Sequence, residues 1–476
     1  MIRRLALVTV LVTSTIASAG PLDHRCGTTE LLATRPIPRL AQVLHRAAAG
    51  PKGAREGFPG TTFQTTESTN FAVKWADATI TTAQAQIVAD GLEIAWAKYI
   101  DDLGHDPCTG CDTFKLNAYI ARATDTPSID YAGGYAWVDD AGFPYFVISR
   151  EIFSQPDAAA SVQAVAVHEF YHDIQFSTGA FVWDTTQYGW FWEATAEWAS
   201  QEALPTASDP FVFSGAFALT SELPVYHYGD PFGADAVTGV HQYGAAIFWR
   251  YLTDKLSAPS VIVNTWEQST ADAEPLAAVT AQLPSSDLVT IHTEFAARNS
   301  IWDYPYRQFI LDSIDLYQSA FPNLDLIAAR VPAAGVALTP LARSPYGFGY
   351  STIEIARPAT GRFSAEIEIA SPTAQVHGTL VYGAPGAATY TPLETTGQTA
   401  TATIDLPAGV DTAYLVVSVT TDERLTGSAI LLSYKVTPLE PEPEPEAGGC
   451  CDAGTNPRGA MVLAFGAIVA LRRRRR

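Results

Sequence analysis

Val165-Ala166-Val167-His168-Glu169-Phe170-Tyr171-His172-Asp173 is the stretch on which the architecture and the chemistry of this chain both turn. Apolar residues recur around it at helical spacing and predict one helix from about Ala158 to Phe176. On a helix, residues four apart share a face, so His168 and His172 can aim both imidazoles at one metal ion. Glu169 lies beside them, placed to take a proton from a metal-bound water. Two histidines and a glutamate inside an apolar helix are costly to bury unless each has a partner, and a cation supplies one.

A third ligand is expected downstream, in Trp190-Phe191-Trp192-Glu193-Ala194-Thr195-Ala196-Glu197-Trp198. The interval from His172 to Glu193 leaves room to end one helix, turn, and begin an antiparallel second one near Trp190. Glu193 and Glu197 are four apart and share a face. With Glu193 on the metal, Glu197 lies one turn along, where it can accept the other ring N–H of His168; the bland alternative is a surface charge. Asp173 reads as a helix-surface residue. A hydrolytic site also needs a donor for a developing oxyanion. His227, Tyr228, His241 and Tyr243 are candidates, with Tyr243 and His241 preferred because they open a helical stretch, His241-Gln242-Tyr243-Gly244-Ala245-Ala246.

These two motifs resemble those of the gluzincin metallopeptidases, which pair an HExxH helix with a second helix reading W-x-x-E-G-x-A-E. More narrowly, the combination resembles metalloproteases of myxobacteria. The resemblance spans roughly residues 70–300. It implies Zn²⁺ held by His168, His172 and Glu193, with Glu169 as general base on a zinc-activated water and a protein or peptide as substrate. One departure stands out: the family has Gly where this chain has Ala194, and the methyl group narrows the space near the ligand. An H-x-x-G-x-x-H extension is absent, which rules out the metzincin pattern.

Strand-like runs at 70–76, 115–121, 134–138 and 144–149 and helices at 82–103, 158–176, from about 190, 241–257, 259–268, 273–282 and 286–298 are expected around the motif. After about residue 340 the texture changes to short strands separated by turn residues, at 349–355, 363–369, 378–382, 400–406, 413–420 and 428–436. The expected fold class is α+β: a gluzincin-like domain of small mixed sheet plus helices at 67–335, then an all-β sandwich at 340–437. Residues 20–66, rich in Ala, Gly, Pro and Thr, read as a propeptide or leader.

The chain has 476 residues, of which 47% are hydrophobic and 17% charged, with 10 Trp, 20 Tyr and 22 Phe. That composition excludes a mainly disordered chain and can fill more than one core. Acidic residues outnumber basic ones 50 to 29, a formal net charge of −21. Arg3, Arg4, Arg458 and Arg472 to Arg476 sit at the two ends, so the body is more acidic still. Such a surface repels polyanions, which excludes nucleic acid and anionic lipid as partners.

Both ends read as addresses. Residues 1–19 have a basic start, the apolar run Leu5 to Val12 and Ala17-Ser18-Ala19 as an A-x-A cleavage site, the pattern of a secretory signal. At the other end lie a Pro/Glu linker (438–448), Cys450 and Cys451, an apolar run from Ala460 to Leu471, and five arginines. At ~1.5 Å per residue that run makes about 18 Å of helix, too short for the ~30 Å hydrocarbon core. This tail, 449–476, resembles the MYXO-CTERM sorting signal of myxobacterial surface proteins. The resemblance implies a C-terminal sorting protease as partner, cleavage near Cys450 and Cys451 with lipid attached there, and membrane contact through the processed end only. The expected location is therefore outside the cell, at the surface or outer membrane or released.

Cys108 and Cys111, in C-T-G-C, read as a small local disulfide; no thioredoxin-like setting and no second pair for zinc accompany them. Cys26 is left over and reads as a free or intermolecular thiol. Asp23-His24-Arg25-Cys26-Gly27 also loosely resembles the thiol-switch segment of matrix metalloprotease propeptides, where a thiolate could cap a catalytic zinc. Two other functions compete with a secreted zinc peptidase: a non-catalytic surface adhesion protein with a zinc site, and a zinc hydrolase acting on something other than peptides.

Overall fold

A computed structural model describes residues 26–35, 52–129, 133–155, 157–182, 185–233, 235–283, 287–370, 374–421 and 428–441. The readings of 1–19 as a signal, of Cys450 and Cys451, and of the tail 449–476 lie outside those residues.

The first sheet is mixed. Its strands are β1 (Gly53–Ala54), β2 (Gln64–Glu67), β3 (Phe71–Trp75), β4 (Phe114–Ala121), β5 (Gly134–Val138) and β6 (Pro144–Ser149). The order is β2-β3-β4-β6-β5, with β1 alongside β4. β3, β4 and β6 run parallel, whereas β5 pairs antiparallel with β6 and has no other strand beside it. β3 and β6 are buried along their whole length and β4 over its last six residues, as a sheet covered on both faces requires. β1 and β2 fall inside the stretch read as leader, so the sheet begins well before residue 66.

The helices are α1 (Thr28–Thr34), α2 (Thr82–Trp96), α3 (Ala158–Thr178), α4 (Thr185–Ala203), α5 (Ser214–Leu219), α6 (His241–Gly244), α7 (Ala246–Leu256), α8 (Ser260–Gln268), α9 (Pro275–Gln282), α10 (Leu288–Asn299) and α11 (Arg307–Ala320). A reciprocal capping box between Thr81 and Gln84 starts α2, which continues as a π-helical turn through Asp102. Ile94 is 45% exposed, whereas Val88, Leu92, Trp96 and Tyr99 face the core. α11 lies outside the expected helices, although Ile310, Ile314 and Tyr317 recur along it at helical spacing and are buried. α3 is sandwiched between β5 and β6 on one side and α2 and α4 on the other. Nearly every residue from Ser161 to Phe176 is therefore buried. Gly179, at φ +68°, closes its C-terminus in the left-handed conformation and lets the chain turn back into α4.

Two five-stranded sheets form the C-terminal half. They comprise β7 (Ala329–Val331), β8 (Val336–Pro340), β9 (Tyr350–Ala356), β10 (Arg362–Ile369), β11 (Gln375–Tyr382), β12 (Thr389–Pro392), β13 (Glu394–Thr396), β14 (Thr399–Asp405), β15 (Thr412–Thr420) and β16 (Leu432–Pro438). The orders are β13-β14-β10-β16-β8 and β12-β11-β15-β9-β7. Ile353, Ile355, Phe363, Ile367, Leu415, Val417 and Tyr434 fill the layer between them. The outer face of the second sheet packs on α10, where Asn299 donates to the Tyr350 hydroxyl at 2.9 Å. Tyr350, Val381 and Val416 thereby join the core of the helical half. The molecule is thus α+β, and its described residues up to Leu439 form one compact unit.

Candidate metal centre

α3 and α4 bring the centre together. His168 and His172, one turn apart on α3, face Glu193 on α4. Glu193 Oε2 is 3.1 Å from His168 Nε2 and 3.4 Å from His172 Nε2. The two Nε2 atoms are 3.1 Å apart. One further donor joins them: Cys26 Sγ lies 3.3 Å from His172 Nε2. The four ligand atoms of Cys26, His168, His172 and Glu193 all fall within 4.8 Å of one another, and all four residues are buried. This cluster could hold a metal ion.

The hydrogen bonds behind the ligands argue for a cation. His168 Nδ1 is 2.9 Å from Glu197 Oε2, a carboxylate that can only accept, so Nδ1 carries the proton. His172 Nδ1 is 2.5 Å from Gln175 Oε1. The Gln175 amide nitrogen donates to Trp192 O and Thr195 Oγ1, each at 3.0 Å, which leaves its oxygen as the acceptor for His172. Both imidazoles are thereby turned with their Nε2 atoms toward each other and toward a carboxylate oxygen. At 3.1 Å such an arrangement needs positive charge, which a proton on His168 supplies in the metal-free protein and a metal ion could supply in its place. Trp192, stacked on the His172 ring at 6.1 Å between centroids, holds that ring in place.

The charge states follow the same logic. Burial pushes His168 down, but Glu193 and Glu197 outweigh it and raise the ring to about 10. Burial pushes Glu193 up, but His172 and His168 pull it down to about 2. Glu169 is raised, chiefly by burial, and so is Glu197. Burial also drives the Cys26 thiol well up, with Glu169 and Glu193 adding to the effect. A bound cation reverses that preference, because a coordinating thiol is deprotonated.

Glu169 stands beside the cluster. Its Oε2 accepts from Thr28 Oγ1 at 3.2 Å and lies 3.4 Å from Cys26 Sγ. Its Oε1 is buried without a hydrogen-bond partner among the described residues. β5 passes so close that a Cβ on Gly134 would stand 2.6 Å from that oxygen. Ala194, where the family pattern has Gly, is fully buried, and Glu193 nonetheless reaches the histidines.

The other sequence expectations divide. Tyr243 reaches the centre: its hydroxyl donates to the Cys26 backbone carbonyl at 3.2 Å. His241 does not. Its Nδ1 meets Thr220 Oγ1 at 2.8 Å and its Nε2 meets Pro224 O at 3.0 Å, so both ring nitrogens are spent on holding a turn. The expectation that it donates to an oxyanion is therefore corrected. Tyr228, the less favoured candidate, is nearer the ligands: its hydroxyl donates to Thr29 Oγ1, which donates to Glu193 Oε1, each at 2.8 Å. Asp173 is not on the surface but fully buried, with no hydrogen-bond partner for either carboxyl oxygen among the described residues. Burial holds it well above the usual carboxylate range. Cys108 and Cys111 form a disulfide, with Cα atoms 5.2 Å apart. Cys26 is free of any disulfide, yet its place among the histidines contradicts a merely leftover thiol. Sequence reasoning missed Thr28, Thr29 and Gln175; only Gln175, one turn beyond His172, had a spacing that could have revealed it.

No helix among the described residues is long and apolar enough to cross a membrane. A model of a family of unknown function, DUF6055, matches residues 61–426. No curated protein matches the chain.

Proposed function

The chain belongs to the DUF6055 family, and from its metal centre we propose that it is a zinc-dependent peptidase of the gluzincin type, exported and held at the cell surface by its processed C-terminus. His168, His172 and Glu193 would hold the metal. The observation that carries the reading is Glu169. It ligates nothing in the cluster, yet it is buried beside it with one oxygen unpartnered. A site that only staples the fold does not need such a carboxylate.

Bound zinc would supply Lewis acidity there. Glu169, buried beside the cluster, would take up a proton from water and return one to a leaving amine. Its upward shift suits a base that must also act as an acid. Tyr243 already donates to a peptide carbonyl next to the ligands, which is the contact an oxyanion donor makes. Glu197 and Gln175 hold the two imidazoles in register. Two imidazoles with one carboxylate are the donor set of hydrolytic zinc sites, which favours zinc over calcium or magnesium.

A second reading has one observation in its favour. With Cys26 the cluster has four donors, and closed four-donor sites are structural. The protein would then be a non-catalytic surface-binding protein stabilised by zinc. Elemental analysis and a peptide-library screen separate the two, with each variant made in a Cys26→Ser chain so that the fourth position is open. That chain should carry about one zinc, and adding Glu193→Ala should lose it. Adding Glu169→Gln should keep the metal and lose about 10²–10⁴-fold in peptide hydrolysis. Full metal with unchanged hydrolysis on adding Glu169→Gln would overturn the peptidase reading.

A further inference from the structure

Residues 26–34 occupy every group that a substrate at this centre would have to use. Cys26 Sγ fills the position among His168, His172 and Glu193 that a three-ligand site leaves open. Thr28 Oγ1 donates to Glu169 at 3.2 Å, and Thr29 Oγ1 donates to Glu193 at 2.8 Å. The hydroxyls of Tyr228 and Tyr243 are both spent on the same segment. Its backbone also bonds the outer edge of β5. Cys26 bridges Gly134 in parallel, Gly27 N donates to Gly134 O at 2.9 Å, and Ala136 N donates to Thr28 Oγ1 at 2.8 Å. Thr28 and Thr29, the first two residues of α1, are buried at 0% and 1% exposure, and Glu169 behind them is 1% exposed.

We propose that Cys26 is the fourth metal ligand and that the segment Cys26–Thr34 is a built-in plug, so that the intact chain is latent until this segment is displaced. The inference rests on the reading of the centre as hydrolytic. A closed structural site would account for the thiolate. It would not account for a leader that also takes up the unligated Glu169, the second oxygen of Glu193, two tyrosine hydroxyls and the free strand edge. Displacement is a ligand exchange: the sulfur leaves with a proton from solvent, and the vacated position becomes available to an outside ligand. Proteolysis beyond Thr34 or covalent capture of the thiol by an electrophile would each hold the plug out.

The test uses the full chain loaded with Co²⁺, wild type beside Cys26→Ser. Wild type should show the near-ultraviolet thiolate-to-cobalt charge-transfer band. Cys26→Ser should lose the band, keep about one metal per chain, show visible bands that shift on adding acetohydroxamate, and, loaded with zinc, hydrolyse peptides at least tenfold faster than wild type. The absence of the band in wild type overturns the proposal. So does loss of metal from a folded Cys26→Ser, which would make the thiolate a structural ligand. If Cys26→Ser binds acetohydroxamate yet hydrolyses no peptide, the plug stands and the peptidase reading fails. Should Cys26→Ser not fold, alkylation of Cys26 in wild type, followed by peptide mapping, decides ligation. Metal should protect Cys26 at least tenfold, and equal labelling with and without metal overturns the proposal.

Discussion

Glu197 touches no substrate position, yet it governs how well His168 serves as a ligand. It accepts the Nδ1 proton at 2.9 Å, and losing a carboxylate in that position costs metal sites ~10–100-fold in affinity. Glu197→Gln should weaken zinc binding by about that factor in a competition titration against a chelator, while thermal stability of the loaded protein changes little. A second expectation concerns protons. Glu193 and Glu197 overcome the effect of burial and hold His168 at about 10, so near neutrality the ring is doubly protonated before metal arrives. Metal must displace that proton. Zinc uptake should therefore release protons into a weakly buffered solution, and apparent affinity should rise with pH across 6 to 8. An affinity that does not change with pH would contradict this account of His168. The ligand trio was legible because its spacing is local: four residues on one helix, then one turn and a second helix. Cys26 was legible only through a loose resemblance of its flanking residues to a thiol switch and not by spacing, because 146 positions separate it from His172 and a single backbone bridge to Gly134 brings it there. His241 misled because a histidine near aromatic residues has no spacing rule to restrict where its ring points.

At the scale of elements, the centre depends on how closely β5 and α3 approach. Gly134 is the point of contact, with Glu169 directly over its missing side chain. Gly134→Ala should force Glu169 aside, costing about 1–3 kcal/mol of stability as overpacking does and lowering activity while zinc remains bound. Urea unfolding and metal analysis of the same preparation check both halves. The turn that lets α4 return is held by Gly179 at φ +68°, where a Cβ is strained. Gly179→Ala has open space around it and should cost only roughly 1 kcal/mol, a modest drop in the urea midpoint. Strands β3 to β6 and most helices were legible from apolar periodicity. β1 and β2 were not, since strands of two and four residues, without a large apolar side chain, show no apolar alternation. α11 was passed over although its apolar residues recur at helical spacing, and a periodic pattern does not show which neighbour buries a face.

For the whole molecule, the change in texture near residue 340 invites a division into two independent domains, but the contacts join them. Asn299 holds Tyr350, the Tyr390 hydroxyl donates to Asp303 at 2.7 Å, and Arg343 donates to the Leu219 carbonyl at 3.0 Å. Aromatic rings of Phe217 and Phe295 close on Tyr350 across the same boundary. Calorimetry of the full chain should therefore give one transition, with calorimetric and van't Hoff enthalpies equal. Two resolved peaks would show the sandwich to be independent. Composition reveals such a boundary but cannot reveal whether it is apolar on both sides.

One consequence lies in the outermost strand of the first sheet. β5 has β6 on one side, and on the other its polar backbone groups at Gly134 and Ala136 are taken up by Gly27 and Thr28. An unpaired strand edge is where one chain can add to the next. A chain stripped of residues 26–34 would present that seam to its neighbours and should precipitate, or grow into higher oligomers, at concentrations where the intact protein stays clear. Colloidal behaviour in storage and at high concentration would then depend on the same few residues that cover the cluster of Cys26, His168, His172 and Glu193.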